Sequence, residues 1–321
     1  MPKVSIIVPI YNVASYLEKC TRSLFEQTFK DIEYIFVNDV TQDNSMDVLS
    51  RIMLEYPERT EHCKIIYHKK NKGVAAARNS GLAVSTGEYV FYCDSDDWVE
   101  KTMIEDMYNL AENEYADIVI CDFKMVSADR ENYYKTVDWT DNKKESLQRY
   151  IAYAWTVIWN MLVKRKIYSQ YKISFLEGYA YCEDFNLSVK LLLNASKVLH
   201  ITKSYYNYRQ NEASIMHNLN EKTMNDEQVM YMDVIDYLKE KNVYNDYAKQ
   251  MCWRILKSKQ EWVLNTATHD DFLQLHPESH KYIGSCPFIK NKLKIMMWSL
   301  THHLPLITKL FLVLRFLKHG K

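Results

Sequence analysis

Short apolar runs and amphipathic stretches alternate along the first 125 residues of the chain. Continuous β-branched or aromatic runs predict strands, and apolar residues spaced by three and four predict helices. The predicted strands are Val4–Ile10, Tyr34–Val37, Lys64–Tyr67, Tyr89–Cys93 and Ile118–Cys121. The predicted helices are Ala14–Gln27, Ser45–Tyr56, Gly73–Val84 and Thr102–Glu112. This alternation indicates an α/β fold, with a mostly parallel sheet and helices on both faces.

The alternation stops near residue 125. Residues 127–146 are polar and predict an excursion at the surface. Beyond them the patterns predict two strands and one helix, at Trp155–Leu162, Lys197–Tyr208 and Glu183–Ala195. From Glu221 onward every apolar pattern is helical. We therefore expect an α/β domain over 1–220 and a helical C-terminal region over 221–321.

The composition narrows the class of protein. With 41 basic and 41 acidic residues the formal net charge is zero, so nothing global indicates binding to nucleic acid. Seven scattered cysteines without a CxxC pair favour reduced thiols over disulfides or a zinc site. The chain enters a strand at once and has no apolar run of about 18 residues. We therefore expect a cytoplasmic protein without a signal peptide or a spanning helix.

The zero net charge conceals a basic C-terminal end. After Glu278 the chain has eight lysines and arginines and no acid. The apolar residues at helical spacing in this end are Ile307, Leu310, Phe311, Leu314 and Leu317. A basic amphipathic helix is typical of attachment to an anionic membrane surface, here the inner face of the cytoplasmic membrane. A helix packed on the protein, with its lysines in water, would give the same pattern.

Three carboxylates, Asp94, Asp96 and Asp97, follow the predicted strand Tyr89–Cys93 directly. Ligands of open α/β sheets bind at the carboxyl ends of the strands. Carboxylates so close repel each other unless a cation joins them. Mg²⁺ or Mn²⁺ held by one or two carboxylates and a substrate phosphate would fit. The alternative is a solvated turn in which Asp97 caps a helix beginning at Val99.

Polar clusters also follow the first three predicted strands, at residues 9–12, 38–45 and 71–81. Four clusters at one sheet edge indicate a shared ligand site. The chain has neither a GxxxxGK[ST] loop nor a GxGxxG turn, so a diphosphate would need a metal and cationic side chains. Lys72 and Arg78 are the candidates, although Arg78 would also fit the solvated face of a helix.

Together the four clusters resemble glycosyltransferase family 2, the inverting enzymes with the GT-A fold, over about residues 3–217. The matching stretches are Val-Ser-Ile-Ile-Val-Pro-Ile-Tyr-Asn, Asn-Asp-Val-Thr-Gln-Asp-Asn-Ser, Asn-Lys-Gly-Val-Ala-Ala-Ala-Arg-Asn-Ser-Gly and Cys-Asp-Ser-Asp-Asp. The resemblance implies a UDP-sugar donor, bound mainly by residues 1–97, and a Mn²⁺ or Mg²⁺ cofactor. It implies a glycan or undecaprenyl-diphosphate-linked saccharide acceptor, bound by residues 98–220, in surface polysaccharide biosynthesis.

The resemblance also assigns residues to the donor. The implied nucleotide-sugar contacts are Pro9, Tyr11, Asn12, Asp39, Asn71, Lys72, Gly73, Arg78, Asp94, Ser95, Arg209 and Ser214. Tyr11 would stack on uracil and Asp39 would accept from its N3–H. Asp96 would bind the metal, with His217 as a second metal ligand or a phosphate contact.

The catalytic base is expected in the Glu183–Asp184 pair. Alone, two acids at a helix start would suggest only a favourable interaction with the helix dipole. The resemblance implies instead that Asp184 is the base, with Glu183 beside it. Inversion at the anomeric carbon in a single displacement needs one carboxylate to take the proton of the acceptor hydroxyl.

One departure from the family pattern affects the second cluster. Val40 and Thr41 stand where the family usually has glycine and serine. Because valine disfavours a positive φ, we expect the turn to take another backbone shape.

Three alternatives are weaker. A processive synthase would carry a Gln-x-x-Arg-Trp sequence and spanning helices, and a sugar-1-phosphate nucleotidyltransferase would carry a basic glycine-rich loop after the first strand. A non-catalytic nucleotide-sugar-binding or assembly protein on a decayed GT-A fold would not need to keep Asp39, Asp94, Asp96 and Asp184. The sequence names neither the sugar nor the acceptor.

Overall fold

The computed structural model describes residues 1–210, 221–264 and 268–304, with Leu306 and Thr308 beyond them. The chain divides into two compact units. The first contains residues 1–147 and 155–234, and the second contains residues 148–154 with the chain from Ile235 onward. The predicted domain boundary near residue 220 stays a prediction.

The first unit is built on one sheet. Its strands are β1 Val4–Ile10, β2 Ile32–Asn38, β3 Cys63–Tyr67, β4 Tyr89–Tyr92, β5 Trp98–Val99, β6 Ile118–Val126, β7 Glu131–Tyr134, β8 Met161–Lys164 and β9 Val198–Arg209. They lie in the order β3-β2-β1-β4-β8-β6-β9-β5, with β7 paired to β6. Pairing is parallel from β3 to β4, whereas β8 is antiparallel to both β4 and β6. The predicted α/β class is correct, and parallel pairing joins β3 to β4 and, further along the sheet, β6 to β9.

Helices connect the strands and form the C-terminal part of the chain. Up to residue 194 they are α1 Ala14–Phe25, α2 Ser45–Glu55, α3 Pro57–Thr60, α4 Val74–Val84, α5 Met103–Asn113, α6 Lys143–Tyr153, α7 Lys166–Tyr171 and α8 Glu183–Asn194. Beyond it are α9 Glu221–Glu240, α10 Tyr244–Ser258, α11 Gln260–Val263, α12 His269–Gln274, a 3₁₀ helix at Pro277–Tyr282 and α13 Asn291–Thr301. Among the described residues no helix is long and apolar enough to cross a membrane.

The apolar pattern explains how the first half folds. Every residue of β1 and β2 is buried, as expected for parallel strands covered on both faces. α1 buries Leu17, Cys20 and Leu24, which lie on one face at helical spacing. α4 approaches β1 closely because Gly81 has no side chain: a Cβ there would lie 2.4 Å from Cγ2 of Ile7.

Two local predictions were wrong. Residues 155–160 do not continue a strand into β8, which begins only at Met161. No helix begins at Val99, because Trp98 and Val99 pair with β9 and α5 starts at Met103. Asp97 is therefore not a helix cap.

Candidate active site

The loops after β1 and β2 are bonded to each other at the carboxyl edge of the parallel strands. The Asn12 N–H donates to Oγ1 of Thr41 at 2.8 Å, and Oδ1 of Asn12 accepts from the Gln42 N–H at 2.8 Å. Asp43 accepts from the Ala14 N–H at 2.8 Å and from the Thr41 hydroxyl at 2.7 Å. These bonds fix the edge on which Pro9, buried, and Tyr11, 47% exposed, lie.

Val40 has a φ of 63°, so the expectation that valine would avoid a positive φ was wrong. The adjacent Thr41 N–H donates to Oδ1 of Asn38 at 2.8 Å, which holds the turn in place. A β-branched residue in the left-handed region is strained, and such strain persists only where surrounding contacts impose it. The turn therefore keeps the backbone shape that glycine would adopt more easily.

The Asp39 carboxylate organises the loop before α4. It accepts from the backbone N–H groups of Lys72, at 2.9 and 3.1 Å, and Gly73, at 2.7 Å. Nδ1 of His68 lies 2.6 Å from Oδ1 of Asp39, and the Asn71 side chain donates to the Asp39 carbonyl. His68, which sequence reasoning missed, bonds Ser80 through Nε2. The structure thus brings together Asp39, Asn71, Lys72 and Gly73, and the role of Asp39 toward uracil stays a prediction.

Arg78 is the centre of an ionic cluster and not part of a solvated helix face. Arg78 is 2% exposed. One terminal nitrogen donates to Oδ1 of Asp94 at 2.7 Å. The other lies 2.8 Å from Oδ1 of Asp184 and 3.3 Å from Oε1 of Glu183. A single guanidinium therefore joins the acid cluster after β4 to the acid pair at the start of α8.

Asp184 and Glu183 occupy the first turn of α8, after Cys182 in a left-handed conformation with φ 66°. Oδ2 of Asp184 accepts from the Ile158 backbone N–H at 3.2 Å, a contact that no sequence pattern indicated. Burial raises the pKa of Asp184 to about 7, against the lowering effect of Arg78. Burial also raises the pKa of Glu183. A carboxylate with a pKa near neutrality is suited to act as a general base.

The acids after β4 have different surroundings. Asp97 is 1% exposed and accepts from the Arg209 N–H at 2.7 Å and the Tyr206 hydroxyl at 2.8 Å. Burial, aided by the Asp96 and Asp94 carboxylates, raises its pKa well above the usual value. Ser95 is buried as well, whereas Asp96 is partly exposed. Asp97 therefore anchors β9 to this edge, while Asp94 and Asp96 both stay partly exposed.

Arg209 reaches the same edge from the end of β9. Its Nε donates to the Asp96 carbonyl at 3.0 Å. The guanidinium carbon lies 4.9 Å from the ring centre of Tyr16 and 5.0 Å from that of Trp98, and the Lys19 ammonium lies 3.1 Å from the Trp98 ring centre. Tyr16, Lys19 and Trp98 were not identified from the sequence, although Trp98 directly follows the acid cluster.

The described residues contain no group of three or more His, Cys, Asp or Glu side chains that could hold a metal alone. The chemistry of the edge still fits Mg²⁺ or Mn²⁺, because such ions are held by one or two carboxylates together with substrate phosphates. Asp96 is the carboxylate that would serve. Ser214 and His217, which were predicted to contact donor and metal, lie outside the described residues.

The chain is similar to known proteins both in sequence and in fold. The family model "Glycosyl transferase family 2" matches residues 5–172. The uncharacterized glycosyltransferase EpsJ of Bacillus subtilis is 32% identical over 226 residues, covering 67% of this chain. The chain spans 63% of the length of that relative.

Two solved structures are similar in fold. TarS residues 1–349 of S. aureus, in complex with UDP-GlcNAc, matches with a TM-score of 0.70 and 18% identity, covering 99% of this chain and 92% of that chain. The mannosyltransferase PcManGT of Pyrobaculum calidifontis, in complex with GDP-Man and Mn²⁺, matches with a TM-score of 0.57 and 14% identity, covering 97% and 87%. With the family model spanning more than half of the sequence, the chain belongs to glycosyltransferase family 2 and has the GT-A type of fold.

Proposed function

We propose that this glycosyltransferase moves a sugar from a UDP-sugar to a hydroxyl of a glycan or lipid-linked saccharide acceptor, with inversion and with a divalent metal. The observation that carries the proposal is the Arg78 cluster, in which one guanidinium contacts both Asp94 and Asp184. It draws together the edge expected to bind the donor and the carboxylate expected to act on the acceptor. TarS, which shares the fold, is described in complex with UDP-GlcNAc, and this supports a UDP-sugar donor.

The reaction follows from the position of Asp184. Its carboxylate takes the proton from the acceptor hydroxyl while the hydroxyl oxygen forms a bond to the anomeric carbon. The bond from that carbon to the β-phosphate oxygen breaks, and its electron pair leaves with UDP. Arg78 opposes the effect of burial and so favours the ionised form of Asp184. A Mn²⁺ or Mg²⁺ at Asp96 would stabilise the negative charge on the departing diphosphate.

The donor would lie along the edge described above. Tyr11 is exposed and available to stack on the base, and the loop held by Asp39 presents Lys72 and Gly73. Arg209 supplies a cation beside Asp96. This division of tasks leaves the Glu183–Asp184 end for the acceptor.

Calorimetric titration of UDP with Mn²⁺, and then with EDTA, tests the donor assignment. We expect binding in the micromolar range that needs the metal and that Asp96→Ala abolishes. Release of UDP from a panel of UDP-sugars in the presence of saccharide acceptors then tests transfer. Binding of UDP that is indifferent to EDTA would contradict the metal-dependent mechanism, and absence of UDP binding would contradict the donor class.

We further propose that the basic C-terminal end places the enzyme at an anionic membrane surface. The predicted apolar stripe from Ile307 to Leu317 lies outside the described residues. In α13, Ile295 is 48% exposed and Trp298 is 46% exposed, beside lysines 290, 292 and 294. Reversing these three lysines to glutamate should weaken sedimentation with phosphatidylserine vesicles and leave phosphatidylcholine vesicles unaffected, since each lysine near such a surface contributes about 1 kcal/mol. Unchanged sedimentation would contradict the proposal.

A further inference from the structure

Six aromatic rings pack together in the first unit, on strands and a loop distant in sequence. We call this set the aromatic wall. Its members are Phe123, Tyr134, Trp155, Trp159, Tyr206 and Tyr208. Trp159 is stacked on Tyr206 with ring centres 4.1 Å apart and on Tyr208 at 5.7 Å. Trp155 meets Tyr134 and Tyr208 edge to face, at 5.6 and 5.8 Å.

The wall has a buried side and an accessible side. Phe123, Trp159 and Tyr206 are fully or almost fully buried. Tyr134, Trp155 and Tyr208 are partly exposed and pack against them. A partly exposed aromatic surface on a close-packed base is rigid, and it offers ring faces to a ligand at a small cost in conformational entropy.

The wall adjoins the proposed base through the loop at residues 155–160. Ile158 donates its backbone N–H to Asp184, and Trp155 lies three residues before it. Three residues of extended chain span at most about 11 Å between Cα atoms, so the Cα of Trp155 lies within about 11 Å of the Cα of Ile158, whose N–H bonds Asp184. The Tyr206 hydroxyl, from the buried side, bonds both Asp97 and the Asp94 N–H. The wall is therefore fixed to both ends of the site.

We propose that Tyr134, Trp155 and Tyr208 form an acceptor subsite that stacks against the apolar face of a pyranose ring. The inference rests on the proposed function and names the class of acceptor: a saccharide with a ring face, and not an open-chain polyol. The acceptor hydroxyl must reach Asp184, so the rest of the acceptor lies on the surface next to it. A pyranose presents axial C–H groups on one face, and these pack on aromatic rings, while its hydroxyls stay available to polar groups.

Saturation-transfer difference NMR tests the subsite, with protein saturated with UDP and Mn²⁺. The probes are the methyl β-glycosides of glucose, galactose and N-acetylglucosamine. Sorbitol is the control, because it has hydroxyls but no ring. We expect transfer to the axial ring protons of at least one glycoside, and none to sorbitol. Trp155→Ala should reduce the transfer about tenfold, whereas Trp155→Phe, which keeps a ring, should retain much of it.

Tyr134→Leu is a second variant in case Trp155→Ala fails to fold, and Tyr115→Ala is the matched control. Tyr115 is 86% exposed and precedes β6, so it lies at the amino end of that strand and not at the carboxyl edge of the parallel strands. UDP calorimetry on every sample separates the two proposals. Normal UDP binding with no glycoside transfer, with equal transfer to sorbitol, or with full transfer in Trp155→Ala would overturn the acceptor subsite alone. Absent UDP binding in the unmodified protein would instead overturn the donor assignment.

Discussion

The two halves of the site are built in different ways. In residues 1–97, neighbouring parallel strands end in short polar loops, and the contacts are largely between side chains and nearby backbone, as in Asp39 with Lys72 and Gly73. In residues 98–210 the sheet is mixed, and the site consists of aromatic rings and acids that come from distant parts of the chain. We propose that the first half binds the charged donor and that the second half binds the acceptor.

Arg78 is where the halves meet. It lies on α4 of the first half and bonds Asp184, 106 residues further along the chain. The polar loops and the Glu183–Asp184 pair are therefore not independent features, because one buried guanidinium contacts both Asp94 and Asp184.

The largest effect should come from the proposed base, Asp184. Asp184→Asn keeps the shape of the side chain but cannot take a proton, so turnover should fall about 10²- to 10⁴-fold. UDP affinity should not change, because we propose that UDP binds the other half. The measurement is UDP release with saturating donor and acceptor, alongside calorimetry.

Asp47→Asn is the matched control for a merely electrostatic role at a helix start. Asp47 is exposed in the first turn of α2, where it interacts with the dipole of that helix as Asp184 does with the dipole of α8. It is not part of the Arg78 cluster. It should leave turnover unchanged. Equal small losses in the two variants would show that Asp184 acts only through the helix dipole.

Removing the joining residue should cost stability as well as activity. Arg78→Ala leaves Asp94, Glu183 and Asp184 without their shared buried cation, and breaking such a cluster typically costs about 3–5 kcal/mol. Urea denaturation measures the loss in free energy of unfolding. Arg78→Lys keeps the positive charge but lacks the two terminal nitrogens that contact Asp94 and Asp184. It should therefore lose less stability than Arg78→Ala. A loss below about 1 kcal/mol in Arg78→Ala would mean that the halves are held together elsewhere.

The pH dependence of turnover should report the second half. Burial places the pKa of Asp184 at about 7, and only its ionised form accepts a proton. Turnover should therefore fall about tenfold per pH unit below that value and level off above it. The Glu183 carboxylate raises the pKa of Asp184, so Glu183→Gln should move the fall in turnover to lower pH. A flat profile between about pH 5 and pH 8 would argue against Asp184 as the base.

The sequence predicted the first half of the molecule better than the second. Strands β1 to β4 and their polar loops are local patterns, and the parallel register that aligns them follows from alternating strands and helices. The bond from Ile158 to Asp184 and the edge-to-face contact of Trp155 with Tyr208 join residues 26 and 53 positions apart, and no periodicity indicates such pairs. The exclusion of Asp97 from solvent depends likewise on β9.

The smallest predicted effect concerns the strained turn of the first half. Val40 has a φ of 63° and is only partly buried, so replacing it removes strain with little loss of packing. The left-handed conformation costs a residue with a Cβ about 1–2 kcal/mol. Glycine avoids that cost but destabilises the folded state by about 0.5–1 kcal/mol, because its unfolded chain has more conformational freedom to lose. Val40→Gly should therefore raise the free energy of unfolding by up to about 1 kcal/mol.

Val40→Ala distinguishes relief of strain from relief of crowding. Alanine keeps the Cβ that makes a positive φ unfavourable, so it should give little or no gain, whereas a gain equal to that of glycine would indicate crowding by the valine methyl groups. Because the turn bonds to Asn12 through Thr41 and Gln42, UDP affinity measured in the same variants shows whether the strain serves the donor. Weaker UDP binding in a more stable Val40→Gly protein would mean that the valine holds this loop in its binding shape. Unchanged binding would mean that the hydrogen bonds alone hold it.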